Sequence, residues 1–169
     1  MIVIPLAFSV TPGNKNENTT TIPLEKRIIK DYELIESKLQ LIRKYSQSKY
    51  ITFYVLVGFE STDIGDVVSM WERIALLMKY KCRPYIMKYQ SPTEAPWKLS
   101  KYKSAYTAVA RWCNQASMFK KKSFREFCEL TQTQIKGDKT CADMRGLKLI
   151  EDEYPEIAKR YFDLKFEDT

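Results

Sequence analysis

No histidine occurs among the 169 residues. That absence excludes a Ser-His-Asp or Cys-His arrangement, the paired-His zinc protease motif, a Cys₂His₂ finger and a His-ligated haem. Any base or ligand in the chain is therefore a carboxylate, lysine, tyrosine or cysteine. Glycine is nearly as scarce: its five occurrences, at positions 13, 58, 65, 137 and 146, cannot be spaced into a G-x-G-x-x-G turn or a G-x-x-x-x-G-K-S/T loop. The common self-contained nucleotide sites are thus missing. The four cysteines, Cys82, Cys113, Cys128 and Cys141, form no C-x-x-C metal or redox pair and read as reduced, partly buried small residues. No run of about 18 apolar residues exists, so no spanning helix is expected. The apolar opening, Met1 to Val10, has no basic start or cleavage site and contains Pro5, so it reads as a strand rather than a signal peptide, and the expected location is the cytoplasm.

What is present suffices for a core, with 44% hydrophobic and 13% aromatic residues, both far above the level of a disordered chain. Ile2 to Phe8 is a short apolar run in which Pro5 favours an edge strand or a strand start. After the polar stretch Thr11–Thr21, with a turn at Pro12-Gly13, Pro23 stands at a first helical position. Leu24, Ile28, Tyr32, Ile35, Leu39 and Ile42 then recur at helical spacing. Tyr50 to Val57 is almost purely β-branched and aromatic, the composition of a central strand covered on both faces. Gly58 ends it. Ser61, Thr62 or Asp63 can cap a helix whose stripe is Ile64, Val67, Val68, Trp71, Ile74, Leu77 and Met78, and the run Pro84-Tyr85-Ile86-Met87 follows. This alternation is that of a parallel βαβαβ unit.

Beyond residue 95 the pattern becomes helical. Leu99, Tyr102, Tyr106, Val109 and Cys113 fall on one helical face, and Ser123 to Glu126 has capping-box spacing. Lys136 to Gly146 reads as a polar turn region, and Pro155 to Phe166 as a short helix. Eight basic residues and no acidic one lie between Ala95 and Arg125, interleaved with Trp97, Tyr102, Tyr106, Trp112, Phe119 and Phe124. Lysines with rings are the composition of a nucleic-acid surface, for which Lys120, Lys121, Lys122 and Arg125 are the candidate contacts. The competing reading puts the rings in the core and sets the basic segment against the acidic 126–169 tail. Arg111 as an anion contact, Cys113 as a reactive thiol, and Glu60, Asp63 and Asp66 as a carboxylate cluster are further candidates. The unit 1–95 and the helical segment 96–169 are read as one domain. Three strands are few for a covered parallel sheet, and the first would leave an open edge.

Four local sequences stand in a suggestive order: Tyr54-Val55-Leu56-Val57-Gly58-Phe59-Glu60-Ser61-Thr62; Trp71-Glu72-Arg73-Ile74; Arg83-Pro84-Tyr85-Ile86-Met87-Lys88-Tyr89; and Ala110-Arg111-Trp112-Cys113-Asn114-Gln115. With Lys122 to Cys128 they resemble the C-terminal half of radical S-adenosylmethionine (radical SAM) proteins of the short bacterial and phage type, over about residues 50–130. The resemblance implies a fold, namely the parallel βαβαβ half of a partial (β/α)₆ TIM-like barrel followed by C-terminal helices. It implies cofactor contacts at strand ends, falling on Val57, Gly58, Phe59, Met87 and Tyr89.

The same family carries its 4Fe–4S cluster on a C-x-x-x-C-x-x-C loop, and no such loop is written here. Tyr54 and Ser61 also stand where the family's strand pattern has glycine and glutamate. The expectation is accordingly a truncated or split radical SAM-like portion without the cluster site and inactive alone. S-adenosylmethionine and a 4Fe–4S cluster would belong to it only if a complementing chain or an N-terminal half supplied that loop. The alternative is a non-enzymatic nucleic-acid-binding α/β module using residues 97–125; neither reading involves a membrane.

Overall fold

The computed structural model describes residues 3–6, 24–46, 51–58, 64–91, 93–137 and 139–167, without the side chains of 3–6 and 24–31. Three parallel strands, β1 (Val3–Leu6), β2 (Ile51–Val57) and β3 (Cys82–Lys88), form one sheet in chain order, with β2 in the middle. The opening run is an edge strand, as its proline favours, with Pro5 opposite Tyr54. Two compact units divide the chain, Met1–Ala7 with Tyr50–Thr169, and Phe8–Lys49. The helical segment after residue 95 therefore shares its unit with the strands.

The second unit contains helix α1 (Leu24–Tyr45). Of its apolar stripe, Leu39 is buried and Tyr32, Ile35 and Ile42 are half-buried, whereas Leu34, Leu41 and Tyr45 face water. Pro23 and the 11–21 stretch lie outside the described residues.

β2 is not covered equally on its two faces, contrary to the expectation from its composition. Ile51, Phe53, Val55 and Val57 are buried, while Thr52, Tyr54 and Leu56 between them are half-buried. The register carries this asymmetry across to β3, where Cys82, Pro84 and Ile86 are buried and Tyr85 and Met87 are 38% and 45% exposed. Helix α2 (Ile64–Lys79) lies against both strands with its stripe Val67, Met70, Trp71, Ile74, Leu77 and Met78. Arg73 interrupts that stripe. Its guanidinium bonds the Leu56 carbonyl at 2.7 Å and the Ser69 carbonyl at 3.1 Å. Arg73 thereby satisfies a backbone acceptor of β2 from the neighbouring helix.

The C-terminal helices are α3 (Pro96–Leu99), α4 (Lys103–Asn114), α5 (Ala116–Lys121), α6 (Phe124–Thr133), α7 (Ala142–Glu153) and α8 (Pro155–Tyr161). Tyr102, Tyr106, Val109 and Cys113 are buried as the spacing predicts. Leu99 is not: it ends the short α3, is 69% exposed, and belongs to a different helix from the others. The Ser123 capping box forms, with the Glu126 N–H donating to Ser123 Oγ and the Ser123 N–H to Glu126 Oε2. None of the helices among the described residues is long and apolar enough to cross a membrane.

The 136–146 segment corrects the sequence reading. Its last five residues already belong to α7, and Gly146 is the point at which α7 meets α4. A Cβ there would stand 2.7 Å from the backbone nitrogen of Ala105 and the backbone carbon of Ser104. Gly146→Ala tests this contact. Alanine's helix propensity favours the variant by about 1 kcal/mol, but two backbones must part, so the net result is a loss of about 1–3 kcal/mol in denaturant unfolding. A stabilised variant would show that the helices separate freely.

Candidate functional site at the carboxyl ends of the strands

In parallel α/β sheets, ligands meet the protein where strands end and helices begin. Here that end is built from β2, β3, α2, α3 and α4. Val57 is opposite Lys88 and its carbonyl accepts the Tyr89 N–H at 2.9 Å. Of the residues expected at the site, Val57, Gly58, Met87 and Tyr89 thus lie together at adjacent strand ends. Phe59, with Glu60 and Asp63, lies outside the described residues.

Gly58 has φ +69, a left-handed conformation that costs a residue with a side chain roughly 1–2 kcal/mol. Its N–H donates to Asp66 Oδ2 at 2.9 Å, and the Tyr106 hydroxyl donates to the same oxygen at 2.6 Å. Asp66 stands in the first turn of α2, where a negative charge suits the helix dipole. One carboxylate oxygen therefore joins the end of β2, the start of α2 and the first turn of α4. The close approach at Gly58 is to Trp97, whose Cβ would be 2.4 Å from a Cβ added to the glycine. Trp97 is held there by its own Nε1, which donates to the Tyr89 carbonyl at 2.8 Å. The space that the glycine leaves is filled from within the protein.

The partly exposed residues lie on the other face. Tyr54 and Tyr85 meet edge to face, with ring centroids 5.3 Å apart, and Met87 stands opposite Leu56. This partly exposed surface of rings and aliphatic groups carries the apolar contacts that the site can offer.

The outer edge of β3 is capped at Ile86. The Ile86 N–H donates to Asn114 Oδ1 at 2.8 Å and Asn114 Nδ2 donates to the Ile86 carbonyl at 3.0 Å. A primary amide presents donor and acceptor side by side, so Asn114 reproduces the pairing that a neighbouring strand would make. Arg111 finds its anion inside the fold, at Asp143 Oδ2, 2.6 Å away. Trp112 and Cys113 are buried. Burial pushes the Cys113 thiol well above its ordinary pKa, the charge of Arg83 opposing it only in part.

The basic segment is likewise engaged. Lys101 pairs with Glu153, and Arg125 with Glu151 and Asp163. The six rings interleaved with it are all at most 6% exposed, so they present no face on which a base could stack. Lys121 and Lys122 are exposed and Lys120 is half-buried, which leaves charge without the aromatic platform.

The four thiols do not share one centre, although Cys128 and Cys141 are near enough to interact electrostatically. Cys82, Cys113 and Cys128 are buried, Cys141 is half-buried at the start of α7, and among the described residues no three His, Cys, Asp or Glu side chains form a metal-holding group. Sequence reasoning missed Asp66 as an organiser, Trp97 as the lid on Gly58 and Asn114 as a strand substitute. Only the asparagine ending the A-R-W-x-N segment carried a usable signal. No protein-family model matches the chain, and searches of curated proteins and of solved structures find no match.

Gly58→Ala should displace Trp97 and destabilise the chain by at least about 2 kcal/mol, from backbone strain and steric overlap together, read as a lowered denaturation midpoint with altered tryptophan fluorescence. Unchanged stability would mean that Trp97 moves aside without cost. For the thiols, burial pushes Cys128 as well as Cys113 upward, and thiolate is the reactive form. Iodoacetamide should thus modify Cys141 alone in the native protein and all four cysteines in denaturant, as counted by mass spectrometry. Rapid native alkylation of Cys113 would contradict its placement.

Proposed function

We propose that this chain is the C-terminal portion of a radical SAM-like barrel, contributing strands and part of the cofactor and substrate surface but not the cluster site. The observation that carries the reading is the sheet itself: three parallel strands in chain order, one face backed by helix α2 and the other partly open. A barrel needs this arrangement, because its strands follow one another around the ring with helices outside. The cap at Ile86 on the outer edge of β3 is consistent with a last strand, since the Asn114 amide occupies that residue's pairing groups. Met87 and Tyr89, on the last strand and just past it, remain the candidate cofactor contacts. Val57 and Gly58 act through backbone groups already bonded within the protein, so they shape the strand end rather than reach a ligand.

The residues present do not fit a 4Fe–4S cluster of this chain's own. Such a cluster needs several thiolates brought onto one centre, and three of the four thiols are buried on separate elements. A cluster and the S-adenosylmethionine bound to it would have to be held by a C-x-x-x-C-x-x-C segment carried elsewhere.

Anaerobic incubation of the isolated chain with iron and sulfide should leave far less than one cluster per chain after gel filtration. Co-expression with a chain bearing the cysteine loop should yield a brown complex that cleaves S-adenosylmethionine when reduced. A stable four-iron cluster on the isolated chain would sink the proposal.

A further inference from the structure

Side chains alternate between the two faces of a strand, so Arg83 stands in one row with Tyr85 and Met87, opposite in phase to the buried Cys82, Pro84 and Ile86. On β2 the register sets Thr52, Tyr54 and Leu56 beside that row, and all three are half-buried. Arg83 is half-buried too, and its Nε is buried with no hydrogen-bond partner. Among the described residues no carboxylate pairs with it, whereas Lys101, Arg111 and Arg125 in the neighbouring helices all have acidic partners. Cys113, which the Arg83 charge reaches, is kept neutral by its own burial and is no counterion. A partly desolvated guanidinium without an anion costs the fold free energy, and a ligand anion would offset that cost.

We propose that the open face of β2 and β3 binds an organic anion, with its carboxylate or phosphoryl group on Arg83 and its apolar body along Tyr54, Tyr85, Leu56 and Met87. A guanidinium presents its N–H donors in a rigid fork that matches either oxyanion. Beyond Arg83 the row carries no further charge: the Tyr54 and Tyr85 rings meet with centroids 5.3 Å apart, and Leu56 stands opposite Met87. At about 3.3 Å per residue the row from Arg83 to Met87 spans about 13 Å. The charged end of the ligand thus lies toward the start of β3, and its apolar end reaches the strand ends. The inference deepens the barrel reading and rests on it in taking this face as the lining of the substrate cavity, but the binding itself requires neither cluster nor cofactor.

Calorimetric titration of the full chain with 4-phenylbutanoate, hexyl phosphate and the uncharged 4-phenylbutanol, at constant ionic strength, tests it. One anion should bind saturably per chain, about tenfold or more tighter than the alcohol, and about tenfold or more weaker in Arg83→Gln, the change expected for one lost charge-assisted contact. Lys121→Gln should leave it unchanged. Binding of the carboxylate alone identifies a carboxylate ligand, binding of the phosphate alone a phosphate ester, and binding of both a site open to either oxyanion. Met87 is exposed, so Met87→Glu tests the row without threatening the fold and should abolish binding, which keeps the test decisive if Arg83→Gln does not fold. No saturable binding of either anion, equal affinity for the alcohol, or wild-type affinity in either variant overturns the site. Anion binding by a chain whose co-expressed complex fails to cleave S-adenosylmethionine counts against the barrel alone, and cleavage without anion binding counts against this site alone.

Discussion

Trp71 is the ring on which the placement of the C-terminal helices depends. It projects from α2 into a cluster with Trp112 of α4, Phe124 of α6, Tyr161 of α8 and Phe162 just beyond, all with centroids 5.1–6.1 Å from its own. Phe119 and Phe166 extend the cluster from Trp112. Each such pair contributes about 0.5–1.5 kcal/mol beyond simple burial, enough in combination to outweigh the indole N–H of Trp71, which is buried without a partner. A helix that already covers the sheet is thereby made the anchor for three more. The segment after residue 95 is consequently part of the sheet's own core and not an appendage.

Once the cluster positions α4, two polar groups on that helix fall where the sheet needs them. Tyr106 reaches Asp66 near the strand ends, and Asn114, two residues after Trp112, reaches the free edge at Ile86. Both interactions require α4 to be fixed along its axis to well under an ångström, because hydrogen bonds weaken steeply off their preferred distance and angle. The Gly146 contact supplies a further constraint by letting α7 press directly on the first turn of α4. Apolar packing thus sets the position, and the hydrogen bonds convert it into the geometry of the strand ends.

The alternation of strands and helices was readable from the sequence because each element has its own hydrophobic period. The capping box at Ser123 was readable because it depends on residues three apart. Arg73, Asp66 and Trp97 were not. Each interrupts or borders an apolar stripe, and each acts on a backbone group brought near by the fold: the Leu56 carbonyl, the Gly58 N–H and the Tyr89 carbonyl. Gly146 misled for a related reason. Glycine in a polar stretch reads as a turn, and only the facing helix reveals that the missing Cβ permits a close crossing. The split between the two faces of β2 was hidden because β-branched and aromatic residues occupy both.

The composition of the A-R-W-x-N segment invited a chemical reading, with a cation beside a thiol. Each residue instead has an architectural partner: Arg111 an internal carboxylate, Trp112 the ring cluster, Cys113 the core and Asn114 the strand edge. In this chain, then, the segment's residues are accounted for by packing, ion pairing and edge pairing. Chemistry has to come from groups that the fold leaves unspent. On the sheet those include the half-covered Tyr54 and Leu56 with the exposed Tyr85 and Met87, which supply shape, apolar contact and two phenol hydroxyls.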